Sequence, residues 1–372
     1  MSRKNDQSIV KQTSNNLNIL RRNAGLSAAQ LAQHVGVSRQ TIHAIEAGTY
    51  VPNTLVALQL ARVLGTTVES IFALPPEAPS LERVTVLAGA ENTDAGQPVE
   101  LCRVDKRIIA SPSSPIPWCV PVSDAILLDK NKAQIFRDRD DFDQRILIAG
   151  CDPGMSVLAR YLRLAGVEPV LAHRNSSAAL ALLKENCVHV AGTHLHDAAS
   201  GESNIGSIGR LFRGRSVAVV SFAIWEQGLV TARGNPKRIR SVEDLARPDV
   251  SFVNREKGAG SRLLLDSSLT AAGIRARDVG GYDHIAPGHL AAAAQVRSGE
   301  ADCCIAPRAA AGVFGLDFVP LATERYDFVL HKRHLALRSV QILMETLSRA
   351  SFRRDLEGLG GYDTKVAGAR VL

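Results

Sequence analysis

The chain has 372 residues and a formal net charge of +7 at pH 7. A chain of this length is too long to fold around a single ordinary hydrophobic core, so we expect two or three domains. Residues 1–74 hold seven basic and three acidic residues, a net +4 that suits a polyanionic partner. No apolar run approaches the roughly 20 residues that span a bilayer, and the polar start MSRKNDQS does not resemble a signal peptide. We therefore expect a cytoplasmic protein that makes no membrane contact.

Residues 27–50 predict two short helices around a tight turn. Ser27 and Ser38 are placed to cap them, and apolar side chains recur at helical spacing on the inward face: Leu31, Val35, Val37, Ile42 and Ile45. Near the exposed start of the second helix lie four polar residues: Arg39, Gln40, Thr41 and His43. A helix of this kind inserts its N-terminal residues into the major groove, where Arg suits guanine and Gln suits adenine. The pattern indicates a DNA-binding helix-turn-helix.

The flanking sequence extends this unit. Leu17, Ile19 and Leu20 precede it, and Thr54 is predicted to cap VALQLARVLG behind it. Over about residues 14–74 the chain resembles the XRE-type helix-turn-helix family of phage and bacterial repressors, which have a five-helix domain. The resemblance implies that Arg39, Gln40 and Thr41 read bases. It implies a second set that holds phosphates: Arg21, Arg22, Gln30, Thr49 and Asn53. Since one head contacts few base pairs, we expect a homodimer on double-stranded DNA with a palindromic operator.

Residues 75–141 predict a linker and a small β-rich module. PPEAPS is a proline-rich linker, VTVLA, PVELCRV and RIIAS have strand-like patterns, and the prolines of PSSPIPWCVPVSD exclude a helix. Ala88-Gly89 looks like the scissile pair of self-cleaving repressors. We interpret it as coincidence, because the long remainder of the chain does not fit their short protease domain.

Six cysteines are scattered through the chain without CxxC or Cys/His ligand spacing. In a reducing cytosol we expect free thiols in or near hydrophobic cores. The adjacent Cys303 and Cys304 are expected to pack in a short buried strand rather than to form a redox switch or a soft-metal site.

Residues 142–372 alternate strands with helices, which is the pattern of parallel sheets with crossover helices. Two such units of about 90 residues each would form two lobes around a cleft. Glycine-rich loops at residues 150–156, 192–197 and 254–262 follow strands, where open sheets bind ligands. Their hydroxyls, on Ser156, Thr193 and Ser261, would join backbone amides to suit an oxyanion. Taken alone, each loop is better explained by simple helix capping.

These loops occur with GTHLHD, EQGLV, NREKGAGSRLLLD and SGEADCCIAP, and together they resemble the periplasmic-binding-protein-like domain of molybdate-binding type. The resemblance implies a type II bilobed fold with chain crossings near residues 222–230 and 318–328. It implies molybdate, tungstate or a molybdenum-cofactor species as effector, with no tightly bound cofactor. The candidate ligand-binding residues are Asp152, Ser156, Thr193, His194, Trp225, Gly260, Ser261, Arg262 and His289. Trp225, Gly288 and Cys303-Cys304 depart from the family pattern, so a ring-bearing ligand stacked on Trp225 stays open.

The predicted architecture is therefore multi-domain: an all-α helix-turn-helix head, a small β-rich middle module and an α/β bilobed C-terminal domain. His194 and His196 point opposite ways on an extended loop, so we expect no metal there. We expect no enzyme activity, because we find neither a Ser/His/Asp order nor a Walker loop. The leading function is a ligand-responsive regulator of molybdate or molybdenum-cofactor metabolism. Two alternatives remain, a C-terminal domain that only dimerises and an enzyme of molybdenum-cofactor chemistry fused to the head.

Overall fold

The computed structural model describes residues 14–73, 80–89, 93–113, 123–136, 139–195 and 204–372. The chain divides into two compact units, Met1–Ser80 and Leu81–Leu372. Among the described helices, none is both long and apolar enough to cross a membrane.

The first unit is the helical head. Its helices are α1 Leu17–Asn23, α2 Ala28–Val35, α3 Arg39–Glu46, α4 Thr54–Leu64 and α5 Val68–Ile71, and its strands are β1 Ser14–Asn15 and β2 Phe72–Ala73. Ser27 and Ser38 cap α2 and α3 as predicted, the first in a capping box with Gln30. The expected cap at Thr54 is wrong, because the Asn53 side chain accepts the Val56 N–H instead.

The predicted inward face forms the core of the head. Leu31, Ile42 and Ile45 are at most 1% exposed and pack with Leu17 and Leu60. The helix-turn-helix is therefore held by apolar contacts between α1, α2, α3 and α4, which leaves the start of α3 outside.

The second unit begins with a six-stranded sheet in the order β3-β8-β7-β5-β6-β4. Its strands are β3 Ser80–Arg83, β4 Thr85–Val86, β5 Pro98–Val104, β6 Arg107–Pro112, β7 Ala125–Asp129 and β8 Lys132–Ile135. Leu87, Cys102 and Ile109 share one core with Leu147 and Val170. The opposite face of the sheet has a core of its own, which includes Val99, Leu101 and Leu127. The β-rich region therefore has its own hydrophobic core and also packs onto the α/β domain.

The α/β domain has a nine-stranded sheet in the order β10-β9-β11-β16-β12-β15-β13-β14, with β17 beside β12. Its strands are β9 Ile146–Gly150, β10 Pro169–His173, β11 Val190–Thr193, β12 Val217–Thr231, β13 Phe252–Arg255, β14 Ile285–Ala286, β15 Cys303–Pro307, β16 Asp317–His331 and β17 Tyr362–Asp363. Its helices are α6 Met155–Leu164, α7 Ser176–Lys184, α8 Ile205–Leu211, α9 Gly260–Ala271, α10 His289–Ser298, α11 Arg308–Phe314, α12 Arg338–Ser348 and α13 Ala350–Glu357. Short 3-10 segments occur at Arg139–Gln144, Val242–Ala246, Ala276–Asp278 and Lys332–Ala336.

Two antiparallel strands of 15 residues each, β12 and β16, connect the lobes. On one side β16 pairs with β11 of the first lobe, which contains β9 to β11, and on the other side β12 pairs with β15 of the second lobe, which contains β13 to β15. Their mutual register shifts between Ser221 and Ala223 and between Gln227 and Gly228. This confirms the predicted chain crossings, and it puts two irregularities where the chain passes between the lobes.

The described cysteines are free and buried, as expected: Cys102, Cys151, Cys187, Cys303 and Cys304. Cys119, like His196 and Asp197, lies outside the described residues. Cys303 and Cys304 occupy the buried strand β15, and burial raises the pKa of Cys304 to about 12, so its thiol stays protonated.

Candidate functional site

The start of α3 is the polar face expected to read DNA. Ser38 Oγ accepts the Thr41 N–H at 3.0 Å and fixes the first turn. Arg39, Gln40 and His43 are exposed, and Arg39 Nε donates to His43 Nε2 at 3.4 Å. The hydroxyl of Thr41 lies 2.8 Å from Ser38 Oγ. Arg39, Gln40 and His43 therefore face outward, while the Thr41 hydroxyl is engaged within the helix cap.

Arg21 has a structural role, and the expectation that it holds a phosphate is wrong. Its residue is 8% exposed, its Nε donates to Glu46 Oε1 at 2.6 Å, and its Nη1 donates to the Leu26 carbonyl at 2.8 Å. Burial raises the pKa of Glu46, but the hydrogen bonds from Arg21 and Asn18 outweigh it and hold that pKa below its usual range. The guanidinium ties α1 to the end of α3.

The other expected phosphate contacts are all exposed: Arg22, Gln30, Thr49 and Asn53. Gln30 and Asn53 accept backbone N–H groups through their side-chain oxygens, at 2.8 Å from Ser27 and 2.9 Å from Val56. Each amide nitrogen keeps its two donors for a phosphate. The helix caps thus orient these two side chains.

Of the eight described helices of the α/β domain, α7 alone begins with a side-chain cap, which Asn175 provides. Three of the seven uncapped starts concern the site: α6 after Gly154, α9 after Ala259 and α10 after Gly288. These helix starts lie close together, because Cys151 contacts His289 and Gly260 packs against His194. An uncapped helix start offers backbone N–H groups and a partial positive charge, which favours an anion.

Side chains from three loops meet where these regions converge. Cys151 Sγ lies 3.9 Å from His194 Nε2 and 3.6 Å from His289 Nε2. Each of the three residues is at most 4% exposed. Cys151 follows β9 and His194 follows β11 in the first lobe, whereas His289 opens α10 in the second. The cluster therefore joins the two lobes.

Both imidazoles are held through their other nitrogen. His194 Nδ1 lies 2.9 Å from Glu324 Oε2, and His289 Nδ1 lies 3.4 Å from Ser261 Oγ, which donates to Gln227 Oε1 at 3.2 Å. Burial lowers the pKa of His194, but Cys151 and Glu324 outweigh it and raise that pKa to about 9. Burial, with Arg255 nearby, lowers the pKa of His289 well below its usual range. The surroundings therefore raise the proton affinity of His194 and lower that of His289.

Aromatic rings and glycines enclose the cluster. Trp225 contacts His194 edge-on at 4.9 Å between ring centroids, and Tyr326 stacks beside His194 at 5.8 Å. A Cβ atom at Gly192 would lie 2.2 Å from the Tyr326 hydroxyl, and one at Gly260 would lie 2.4 Å from His194 Cε1. Glycine is therefore needed at both positions for this packing. The Trp225 ring already contacts aromatic and imidazole rings on several sides. This packing does not favour a ring-bearing ligand stacked on Trp225.

Arg255 is a candidate residue that the sequence reasoning missed. It ends β13, is 1% exposed, and donates to Glu256 from Nε at 2.9 Å and from Nη2 at 3.0 Å. Its pKa is raised, because Glu256 and Cys151 outweigh the lowering by burial. Its Nη1 has no hydrogen-bond partner among the described residues. The available signal was its position at the end of a predicted strand, within the glycine-rich loop at residues 254–262.

Five of the nine predicted ligand residues come together at the site: His194, Trp225, Gly260, Ser261 and His289. Asp152 is buried next to Cys151, where its Oδ1 accepts the Tyr362 hydroxyl at 2.7 Å. Burial outweighs this hydrogen bond and raises the pKa of Asp152 to about 7.

The other three predicted ligand residues make contacts within the domain, although Arg262 Nε has no hydrogen-bond partner among the described residues. Ser156 is exposed and its hydroxyl donates to the Pro153 carbonyl at 3.4 Å. Thr193 donates to Asn204 Oδ1 at 3.4 Å, and Arg262 Nη1 donates to the Arg255 carbonyl at 3.0 Å. Each side chain serves a local structural contact. Neither Ser156 nor Thr193 caps a helix, since α6 begins without a side-chain cap and Thr193 ends β11.

Several buried polar atoms near the cluster have no hydrogen-bond partner among the described residues. They include Asp152 Oδ2, Trp225 Nε1, Gln227 Nε2, Arg255 Nη1 and Glu324 Oε1. An unsatisfied buried polar atom costs about 1–3 kcal/mol, and several such atoms together are typical of a place where a polar ligand supplies the partners. All five of these residues are buried, at 5% exposure or less.

Comparison with known proteins agrees with both ends of the chain. Residues 159–348 match the PBP superfamily domain model and residues 15–71 match a helix-turn-helix domain model. The protein YvgK of Bacillus subtilis strain 168 is 33% identical over 252 residues, which cover 68% of this chain and 81% of YvgK. The HTH-type transcriptional regulator YgzD of the same strain is 41% identical over 63 residues, covering 17% of this chain and 96% of YgzD.

The chain is also similar to a solved structure, that of a putative phosphate ABC transporter substrate-binding protein from Clostridium perfringens with bound phosphate. The TM-score is 0.45 and the sequence identity is 15%. The match covers 59% of this chain and 98% of the other chain. The matched model spans more than half of the chain, and YvgK is matched over most of its length. The chain therefore belongs to the PBP superfamily, as a DNA-binding helix-turn-helix regulator that carries a periplasmic-binding-protein-like ligand-binding domain.

Proposed function

We propose that the protein is a cytoplasmic transcription regulator whose DNA binding responds to an oxyanion held between the lobes, with molybdate or tungstate as the first candidates. The observation that carries this proposal is Arg255. A buried guanidinium with one unpartnered nitrogen lies where uncapped helix starts converge. Such a site supplies a positive charge and backbone donors to an anion without requiring a bulky pocket.

The ligand class follows from these donors. Arg255 Nη1, Gln227 Nε2 and Trp225 Nε1 offer N–H donors that have no partner among the described residues. A tetrahedral oxyanion accepts several hydrogen bonds from different directions, so it suits donors that come from both lobes. Its binding would favour closure, because β12 and β16 carry the chain between the lobes.

Calorimetry on the full-length protein tests this proposal. Molybdate, tungstate, sulfate and phosphate are titrated separately into the wild type, into Arg255→Gln and into Arg160→Gln, which removes an exposed arginine of α6. We expect heat with molybdate or tungstate, its loss in Arg255→Gln and its retention in Arg160→Gln. No heat with any of the four anions contradicts the oxyanion assignment, and it would leave a C-terminal domain that only dimerises as the better account.

We also propose that the protein binds a palindromic operator as a homodimer. The head has a groove of about 440 Å³ lined in part by Tyr50, Val51 and Leu58, which are 47%, 55% and 56% exposed. Neighbouring exposed apolar side chains are typical of protein contacts. Light scattering of the full chain measures its mass in solution. We expect a dimer for the wild type and a weaker dimer for Leu58→Lys, which puts a charge in this groove. A monomeric wild type that protects one short half-site in a footprint contradicts it.

Finally, we propose that the protein is not an enzyme. Asp152 and Tyr362 form the one carboxyl–phenol pair that the described part of the site offers beside the histidines, and its hydrogen bond also fixes the start of α6 through the Gly154 amide. Incubation with a molybdopterin precursor, followed by mass spectrometry, tests this point. Turnover would support the alternative of an enzyme fused to a DNA-binding head.

A further inference from the structure

The arrangement of Cys151, His194 and His289 has a feature that anion binding does not require. The thiol and the two imidazoles present their Sγ and Nε2 atoms to one another, and these three atoms lie within 4.8 Å. Oxyanion recognition uses N–H and O–H donors, whereas a thiol is a poor donor. A sulfur atom with two imidazole nitrogens is instead a familiar ligand set for Zn²⁺ and related ions.

The distances between the sulfur atom and the two nitrogen atoms fit such an ion. With a Zn–S bond of about 2.3 Å and Zn–N bonds of about 2.0–2.1 Å, tetrahedral angles put sulfur and nitrogen about 3.6 Å apart. Cys151 Sγ lies 3.6 Å from His289 Nε2 and 3.9 Å from His194 Nε2. The two Nε2 atoms lie within 4.8 Å of each other, against about 3.3 Å at a tetrahedral ion, so ion binding would draw the two imidazoles together.

The second nitrogen of each imidazole is already bound in the way that metal sites require. His194 Nδ1 pairs with the Glu324 carboxylate at 2.9 Å, and His289 Nδ1 lies 3.4 Å from the Ser261 hydroxyl. A carboxylate or hydroxyl on Nδ1 fixes the tautomer that leaves Nε2 as the ligand and raises its basicity. Ser261 is itself held by Gln227 at 3.2 Å.

We propose that Cys151, His194 and His289 form a site for one divalent transition-metal ion of the Zn²⁺ class, bound through Sγ and the two Nε2 atoms. Three protein ligands leave one position of a tetrahedral ion for water or another small ligand. Because Cys151 and His194 belong to the first lobe and His289 to the second, the ion would link the lobes. This proposal stands apart from the oxyanion, since the ion alone is the probe.

Full-length protein freed of metal with a chelator, then titrated with Co²⁺, tests the site. We expect one Co²⁺ per chain, a thiolate-to-cobalt charge-transfer band in the near ultraviolet, visible bands typical of four-coordinate cobalt, and displacement by Zn²⁺. Cys151→Ser should remove the charge-transfer band, and His289→Ala should lower the affinity more than about tenfold. Cys187→Ala, which removes another buried thiol, should keep both the band and the affinity.

Glu324→Gln separates positioning from ligation. This change keeps all three ligand atoms but weakens the partner of His194 Nδ1, so we expect a retained charge-transfer band with an affinity about 10–100-fold lower. Thermal melting of each variant without metal checks that the fold is intact. A wild type without the cobalt–thiolate band overturns the proposal, and so does a Cys151→Ser variant that shows the same band, because the sulfur would then come from elsewhere.

Discussion

The Nδ1 atom of His194 lies 2.9 Å from Oε2 of Glu324, a residue 130 positions further along the chain. His194 follows β11 in the first lobe, and Glu324 lies within β16, which carries the chain between the lobes. Both are buried, at 1% and 5% exposure. A change at the site can therefore reach the connecting strand directly through one charged hydrogen bond.

The first prediction concerns base reading. Gln40 is exposed at the start of α3, so Gln40→Ala should cost about 1–3 kcal/mol at the best operator and relax preference at one base pair. Selection of operator DNA from a random pool by wild type and variant measures both effects. Gln33→Ala, an exposed glutamine of α2, is the control. Unchanged affinity and preference in Gln40→Ala would exclude it from base reading.

The second prediction separates two adjacent arginines. Arg21→Ala leaves the buried carboxylate of Glu46 without its guanidinium partner, so we expect the free energy of unfolding of the head to fall by about 2 kcal/mol. Breaking a fully buried ion pair costs about 3–5 kcal/mol. We expect less here because the Arg21 side chain is 10% exposed. Hydrogen exchange of the amides in α1 and α3 of the full chain measures this.

Arg22→Ala provides the matched comparison, because Arg22 is exposed. It should leave exchange protection unchanged, weaken binding similarly for all DNA sequences, and reduce the salt slope by about one. Equal loss of protection in both variants would contradict the different roles of the two residues.

The third prediction is steric. A Cβ at position 260 would lie 2.4 Å from His194 Cε1, so Gly260→Ala should displace that imidazole and lower the affinity for both Co²⁺ and an anion. Gly209→Ala is the control, since a Cβ there meets nothing within 4 Å. Calorimetry on the two variants decides it, and wild-type affinities in Gly260→Ala would show that the site tolerates movement of His194.

The fourth prediction is a pH dependence of stability. Burial, with Asp124 nearby, raises the pKa of Glu100 from 4.5 to about 7. A carboxyl whose pKa is raised by folding disfavours the folded state once it ionises, so stability is lost as pH rises from about 4.5 through about 7. Glu100→Gln should therefore stabilise the protein at pH 8, by about 1–2 kcal/mol after allowing for partial exposure, and change little at pH 4.

Denaturant unfolding of the full chain at both pH values measures this, with the exposed Glu185→Gln as control. Equal effects of Glu100→Gln at pH 4 and pH 8 would mean that the stabilisation does not come from removing a buried charge.

The sequence predicted the features that depend on local patterns. The caps at Ser27 and Ser38 and the inward stripe of the head follow from spacing and residue type, whereas the two chain crossings follow from the resemblance to the periplasmic-binding-protein-like family. The site was predicted only in part, because hydroxyls and glycines at strand ends look alike whether they bind ligands or cap helices. Ser156 illustrates this ambiguity, since its hydroxyl bonds within its own turn.

Long-range pairing explains the remaining errors. Nothing near Arg21 in the sequence indicates that Glu46 lies beside it, and nothing near Cys151 indicates His289, which is 138 positions away. The sequence argument considered His194 with its neighbour His196, since spacing is all that sequence provides. Only the fold brings Cys151, His194 and His289 together, because β9 pairs with β11 in the first lobe and the residue that follows β9 contacts the first residue of α10.

The coupling between ligand and operator tests the central claim most directly. Fluorescence anisotropy of operator DNA selected in vitro is measured with the full-length protein, with and without saturating molybdate or tungstate, for the wild type and Arg255→Gln. The account predicts that the anion changes the Kd for DNA at least about fivefold in the wild type, consistent with a coupling of about 1 kcal/mol or more. Arg255→Gln should bind DNA without responding. An identical Kd with and without a bound anion in the wild type would contradict it.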